Sequence, residues 1–358
     1  MEPPAAYRLE RVGVLMEGRD GDPHEEWGVL NPASARGPDG ELYLFPRMVA
    51  AGNYSRIGKA RVCFDDAGTP VRVERLGVAL EPAEEWERNA RTAGTEDPRI
   101  TWVPRLDAHV MTYTAYGPLR ARIGLAWSRD LERWQRLGPA WFSYDPALGT
   151  DLNLYPNKDA VLFPEPVTAP DGRLAYAMLH RPLWDLSEVR DSERVTPPPT
   201  LEDSRPGIWV SFAPADEVEA DPVAALPRFS QHRQVALPEQ PWEVLKIGGG
   251  TPPVRTADGW LTIYHGVSGR LIKGQDLQPH VHYAAGITVH DADDVTRLVY
   301  RSTAPVLAPE LRAERVGIVP NVVFPTAIDV ADGAAHVFYG MADSRIGVAR
   351  LTPTPAPG

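Results

Sequence analysis

Many short apolar runs, Asp-Gly pairs at matching places and a recurring closing strand together predict an all-β chain folded as a five-bladed β-propeller. The pairs are Asp39-Gly40, Asp171-Gly172, Asp258-Gly259 and Asp332-Gly333. Each sits between two apolar runs, where Asp-Gly is a strong hairpin signal. The closing strand reads Arg56-Ile57-Gly58-Lys59-Ala60, Arg122-Ile123-Gly124-Leu125-Ala126 and Arg345-Ile346-Gly347-Val348-Ala349. The 37 prolines and 30 glycines suit short strands and loops better than long helices. An irregular β-sandwich does not predict the repeated closing strand, whereas radial repetition of small antiparallel sheets does.

The first unit runs from Trp27-Gly28-Val29-Leu30 through Leu42-Tyr43-Leu44-Phe45 to the closing strand at Arg56. The second begins at Glu96-Asp97-Pro98, continues through Val110-Met111-Thr112-Tyr113 and closes from Arg122. The third holds Ala160-Val161-Leu162-Phe163, Leu174-Ala175-Tyr176-Ala177-Met178 and Gly207-Ile208-Trp209-Val210-Ser211. The fourth holds Gly248-Gly249-Gly250-Thr251, Trp260-Leu261-Thr262-Ile263-Tyr264 and Tyr283-Ala284-Ala285-Gly286-Ile287. The fifth holds Asn321-Val322-Val323-Phe324, His336-Val337-Phe338-Tyr339 and the strand from Arg345. Each unit has room for an outer fourth strand. No linker divides the chain, so residues 1–358 read as one catalytic domain. Ser187 to Pro206 and Pro214 to Pro241 read as long insertions in blades three and four, and Thr352 to Gly358 as a frayed end.

Composition excludes several function classes. A net charge of −11 disfavours nucleic acid or an anionic membrane as partner. Cys63 is the only cysteine, which rules out an intrachain disulfide and a cysteine metal cluster. The nine histidines lack the short paired spacings of a zinc site, so no metal and no cofactor is expected. The start, Met1-Glu2-Pro3-Pro4-Ala5, has no secretory signal pattern, and a soluble cytoplasmic protein is the expectation.

In a propeller the starts of the inner strands surround a central funnel. Asn31, Glu96, Asp97, Asn157, Lys158, Asp159 and Asn321 hold those places. Arg47, Tyr116, His180, Arg181, His265 and Asp343 lie just past the second strands. Gly94-Thr95-Glu96-Asp97-Pro98-Arg99 is the stretch richest in chemistry: two adjacent acids before a proline and a guanidinium. Alone it also fits a turn whose acid pairs with Arg99. Matching polar positions in most repeats converge on one axis and favour a site.

These residues resemble glycoside hydrolase family 130, the β-mannoside phosphorylases and β-mannosidases, which are five-bladed propellers. The resemblance is carried by Gly94 to Arg99, Asn157-Lys158-Asp159-Ala160-Val161-Leu162-Phe163-Pro164-Glu165 and Leu179-His180-Arg181-Pro182. It continues in Lys246-Ile247-Gly248-Gly249-Gly250-Thr251-Pro252-Pro253, Gly259 to Gly266 and Val319-Pro320-Asn321-Val322-Val323-Phe324-Pro325. It implies that Asp97 is the proton donor, acting through a hydroxyl of the mannosyl residue. It implies a phosphate site of Lys158, Arg181, His265 and Tyr283, and substrate contacts from Asn31, Arg47, Arg56, Glu96 and Asp343. Pro32 stands where the family often has serine or alanine.

The resemblance leaves two leading activities. An inverting phosphorylase would cleave a β-mannoside oligosaccharide with inorganic phosphate and release α-mannose 1-phosphate; Lys158, Arg181 and His265, read as cations, favour it. An inverting β-mannosidase would need a carboxylate base, for which Glu165 is the nearest candidate. A non-catalytic sugar-binding propeller is the third reading, and Asp97 argues against it. The expected partners are the mannoside and phosphate, with neither nucleic acid nor membrane; homo-oligomerisation is compatible with the chain.

Overall fold

The computed structural model describes residues 7–89, 93–184, 197–199, 201–272, 278–331 and 333–353. Strands dominate them, and the helices are single short turns such as Ala215–Ala220, Pro222–Ala225 and Arg312–Arg315. The fold is a five-bladed β-propeller. Blade one is Gly28–Arg36, Leu42–Ala50, Tyr54–Phe64 and Pro70–Leu80, paired antiparallel in that order. Blade two is Ala93–Val103, Ala108–Gly117, Arg120–Ser128 and Gln135–Pro139. A short parallel pairing of Tyr54 with Ala93 and Ser55 with Gly94 fuses these two blades into one eight-stranded sheet. Blade three is Asn157–Leu162, Leu174–Pro182, Ile208–Pro214 and Arg228–Ala236. Blade four is Lys246–Gly248, Gly259–Gly269, Val281–His290 and Leu298–Arg301. Blade five is Val323–Ala331, Ala334–Met341 and Arg345–Pro353, with Tyr7–Glu17 as its outer strand.

Alternating strands give each blade two apolar faces, and each face needs a neighbour to leave water. Five buried clusters meet that need, one per seam. Phe45 and Ile57 meet Met111 and Tyr113 between blades one and two. Val110 and Leu125 meet Leu162 and Met178 between two and three. Val161 and Phe163 meet Trp260 and Tyr264 between three and four. Ile263 and Ile287 meet Val323 and Val337 between four and five. Leu15, Phe338 and Ile346 meet Val29 and Leu44 between five and one, which completes the ring.

The structure corrects two readings and shows where one expected strand comes from. Pro214 to Pro241 is not an insertion of blades three and four: it carries two short helices and then Arg228–Ala236, the outer strand of blade three. Thr352 and Pro353 are not frayed but pair with Arg8 and Tyr7. The fourth strand of blade five is supplied by Tyr7–Glu17, which the repeat did not reveal because sequence neighbours do not form it. Residues 187–196 and 200 of the segment from Ser187 to Pro206, Asp332 of the last hairpin pair, and 354–358 lie outside the described residues.

The inner strands of three blades break register at one place. The ladder jumps from Leu30 to Ala33, from Glu96 to Arg99 and from Lys158 to Val161. Each jump holds a left-handed residue: Asn31 (φ 43°), Asp97 (φ 46°) and Asp159 (φ 55°). Asn and Asp are the side chains that best tolerate this backbone. A bulge re-aims its side chain, and here it turns polar groups to the centre of the ring.

Tyr7–Glu17 closes the ring through the buried side chains of Leu15 and Met16. Leu15→Ala should destabilise the protein by about 2–5 kcal/mol, and deleting residues 1–17 should abolish the cooperative thermal transition. A deletion variant that melts like the parent would show that the strand is not a latch.

Candidate functional site

Asp97 is buried at the centre of the ring, and its carboxylate is crowded by donors. Oδ1 accepts from Asn31 Nδ2 at 2.8 Å and from Arg47 Nη1 at 3.1 Å, and Oδ2 lies 3.5 Å from Lys158 Nζ. Burial pushes the carboxyl up, but Arg47 first, then Lys158 and Arg99, outweigh it and hold Asp97 well below the usual carboxylate range. Asp97 is therefore ionised in the free protein. Gly340 makes room for this arrangement: a Cβ there would fall 1.9 Å from Asn31 Oδ1.

Arg47 ties the acids together. It donates Nη2 to Glu96 at 2.9 Å and to Asn53 at 3.1 Å, and Nε to Ser55 at 2.9 Å. Asp343 sits in a left-handed pair with Ala342 (φ 49° and 47°) at the turn between the second and third strands of blade five. Burial first, and then the charges of Asp97 and Glu96, push its carboxyl up to about 6, against the pull of Arg47 and Lys158. Asp343 therefore holds its proton to a higher pH than the ionised Asp97 beside it.

The opposite wall is basic. Asp159, fully buried, accepts from Arg181 Nε at 2.7 Å and Nη2 at 2.5 Å, with His265 Nε2 at 3.5 Å and Arg99 Nη2 at 3.8 Å. Arg181 Nη1 is buried and makes no hydrogen bond, and neither ring nitrogen of His265 makes one. An orphaned guanidinium N–H is costly unless something accepts from it. Gly248 is what admits the cluster, since a Cβ there would lie 2.3 Å from Asp159 Oδ2 and 2.8 Å from Arg181 Nε. Lys246, on the same short strand, has its Nζ 5.5 Å from the centre of the Tyr283 ring. Burial, reinforced by Arg181 and Lys158, brings its ammonium down to about 7.

Most of the residues named from sequence come together. Asn31, Arg47, Glu96, Asp97 and Lys158 share direct contacts, while Arg181 and His265 meet on Asp159 and Tyr283 stacks over His265 with ring centres 6.0 Å apart. Arg56 does not join them: its Nε pairs with Glu81 at 2.7 Å and its guanidinium lies over Tyr54. His265 is not a cation, because burial holds its imidazole well below the usual histidine range. Asn157 turns away from the centre to His180 Nδ1, 2.9 Å from its Nδ2. Glu165 is exposed beyond the far end of the inner strand that starts at Asn157, beside Pro164, which lines a separate cavity with Trp102 and Val254. Sequence reasoning put Asp159 at the funnel without a role and missed Lys246 as a member of the cluster. The signal for Lys246 was its place just before three glycines that let side chains crowd in.

Among the described residues no group of His, Cys, Asp and Glu is arranged to hold a metal, and no helix is long and apolar enough to cross a membrane. Three basic side chains around an orphaned N–H suit an oxyanion instead. Sulfate, a dianion throughout this range, should bind more weakly as pH rises from 6 to 8.5, because Lys246 loses its proton near 7. Lys246→Met should flatten that dependence in calorimetric titrations. A parent protein whose sulfate affinity is flat with pH would exclude Lys246 from the anion's surroundings.

Comparison with known proteins agrees with this geometry. The profile of glycoside hydrolase family 130, described as β-1,4-mannooligosaccharide phosphorylase, matches residues 5–354. A 1,2-β-oligomannan phosphorylase of Thermoanaerobacter sp. (strain X514) is 29% identical over 350 residues, 96% of each chain. A β-1,2-mannobiose phosphorylase of the same organism is 31% identical, covering 85% of this chain and 77% of its own. Among solved structures, the β-1,2-mannobiose phosphorylase of Listeria innocua superposes with a TM-score of 0.69 at 20% identity over 96% of each chain. A structure from work on family members that hydrolyse β-1,2 mannosidic linkages in Candida mannan gives 0.73 at 20% identity, over 100% of this chain and 97% of that one. With a family profile spanning nearly its whole length and a propeller that gathers the family's motif residues at one centre, this chain belongs to glycoside hydrolase family 130.

Proposed function

We propose that the protein is an inverting β-mannoside phosphorylase, a hexosyl transferase to inorganic phosphate that acts as one catalytic domain. The observation that carries this reading is the orphaned Nη1 of Arg181, set among Lys158 and Lys246 on the wall facing Asp97. Phosphate is already a nucleophile and needs only binding and alignment, the kind of positioning that supplies much of an enzyme's rate. Arg181 donates Nη1, the two lysines supply charge, and neutral His265 and Tyr283 supply hydrogen-bonding groups.

A phosphate oxygen attacks the anomeric carbon from the face opposite the aglycone. The bond from that carbon to the glycosidic oxygen breaks, and the β-mannoside becomes α-mannose 1-phosphate. The aglycone oxygen takes a proton that originates at Asp97 and passes through a hydroxyl of the mannosyl residue. Asp97 is ionised at rest, so it must take up a proton before turnover, and the proton that hydrogen phosphate loses on becoming the ester balances the one the aglycone gains. Phosphate seated against Lys158 weakens the field that depresses it, which couples loading to binding of the nucleophile. Asn31, Arg47, Glu96 and Asp343 hold the sugar.

The relatives named as phosphorylases of β-1,2-linked mannosides support this reading and make such mannosides the first substrates to test. A mannosidase needs a carboxylate base across from Asp97, and Glu165 does not supply one: it is exposed in the bend beyond Leu162, past the end of the strand that starts at Asn157 beside Lys158.

Cleavage should require phosphate, saturate with it and yield α-mannose 1-phosphate, seen by 31P NMR. Full activity in phosphate-free buffer with release of free mannose would refute the reading. Asp97→Asn should cut kcat by about 10²–10⁴-fold with the fold intact by circular dichroism. Arg181→Ala should raise the KM for phosphate about ten- to a hundredfold, a charged hydrogen bond of about 1.5–3 kcal/mol, while the mannoside KM moves far less.

A further inference from the structure

Behind the funnel, three blades repeat one buried device that no motif announces. In blade four, Glu243 accepts from the backbone N–H groups of Glu239 and Gln240 at 3.0 and 3.1 Å, from Arg301 Nη2 at 2.5 Å and from the hydroxyl of Tyr264. In blade five, Glu314 accepts from the N–H groups of Glu310 and Leu311 at 2.7 and 3.0 Å, from Arg11 Nε at 2.8 Å and from Tyr339 at 3.0 Å. In blade two, Glu87 accepts from those of Ala83 and Glu84 at 2.8 and 3.1 Å, from Arg136 Nε at 2.9 Å and from Tyr113 at 2.5 Å. All three glutamates are 0% exposed. Each joins a loop before its blade's inner part, the second strand through the tyrosine and the outer strand through the arginine. The glycine of the closing strand makes room for the ring: a Cβ at Gly286, Gly347 or Gly124 would lie 2.6, 2.6 or 2.3 Å from the tyrosine opposite.

The residue after each tyrosine points to the other face of its strand. After Tyr264 comes His265, 3.5 Å from Asp159 and beside the basic wall. After Tyr339 comes Gly340, whose missing side chain is the space that Asn31 occupies while it donates to Asp97. After Tyr113 comes Thr114, buried and paired across the strands with Glu96. The other blades break the device where they differ most. Blade one keeps only Glu25 and Arg75, 2.9 Å apart, with Pro46 before Arg47. Blade three puts His180 before Arg181 and bonds it to Ser211 at 2.8 Å.

We propose that the Glu-Tyr-Arg clamps of blades four and five are positioning devices for different steps of the reaction: Glu243, Tyr264 and Arg301 set His265 against the nucleophile, and Glu314, Tyr339 and Arg11 set Gly340 and, through Asn31, Asp97. The blade-four half rests on the phosphorylase reading; the blade-five half concerns only the acid. One buried contact pins the strand from behind, so a small lesion there moves the funnel residue without touching substrate.

The test is a matched set of tyrosine-to-phenylalanine variants, which keep the ring over its glycine and remove only the hydroxyl. Tyr264→Phe should raise the KM for inorganic phosphate about tenfold, the worth of one buried hydrogen bond, with kcat changed less than twofold. Tyr339→Phe should lower kcat about tenfold and leave the phosphate KM unchanged. Tyr113→Phe, the control, should lose comparable thermal stability and leave the phosphate KM and kcat near the parent values. Glu243→Gln and Glu314→Gln should repeat the split with larger effects. Three phenylalanine variants that lose activity in one pattern, in proportion to their loss of Tm, would overturn the proposal and leave the clamps as struts. A parent enzyme indifferent to phosphate would overturn the phosphorylase reading and the blade-four half with it, while the kcat of Tyr339→Phe still decides the other half.

Discussion

The fully buried carboxylate of Asp159 is the constraint around which the centre is built. A charge in that position is tolerable only if it is paired on several sides. Blade three supplies Arg181, blade two Arg99 and blade four His265. Arg99 in turn donates to the backbone oxygens of Asp97, Gly249 and Gly250, at 2.8, 3.2 and 3.2 Å. One buried acid thereby fixes the relative position of three blades, and the same guanidinium that answers it also holds the backbone of Asp97. The acid and the basic wall cannot shift independently.

This linkage explains why the site combines opposite electrostatic characters within one ring. Asp97 faces Arg47 and Lys158 and stays ionised, whereas Asp343, set beside Asp97 and Glu96, binds its proton more tightly. Lys246 among Arg181 and Lys158 sheds its proton more readily than a free lysine. His265 is silent as a charge and acts as a neutral polar group. Identical residue types take different protonation states because each wall presents a different set of neighbours.

What could be read from the chain follows the same division. Blade number and the hairpins were legible, because Asp-Gly and the closing strand are local signals. So was the gathering of Asn31, Arg47, Glu96, Asp97 and Lys158, because equivalent positions of a radial repeat converge. Where the guanidinium of Arg56 rests was not legible, because its neighbour Tyr54 and the distant Glu81 decide it. His265 was misjudged because charge depends on burial, which a residue name does not carry. The outer strand of blade five and the clamp glutamates were invisible for another reason: Arg11 meets Glu314 across 303 positions of sequence, beyond any local pattern. The glycine of each closing strand was seen as a repeat, and the tyrosine ring that requires it was not.

The pairing of Tyr7–Glu17 with Arg345–Pro353 has a consequence for how the molecule is made. A ribosome delivers the first of these strands long before the second, with Glu17 and Arg345 lying 328 positions apart. Until then the last seam has no partner, and Val29 and Leu44 of blade one face solvent where Leu15, Phe338 and Ile346 will later cover them. The earlier blades can form as they emerge, but the ring can close only once Arg345–Pro353 has emerged. That closing step brings together segments far apart in sequence, the type of contact that slows folding. For much of its time on the ribosome the nascent protein is an open arc with a sticky edge, and a chaperone that shields that edge would act on this stage rather than on the finished ring.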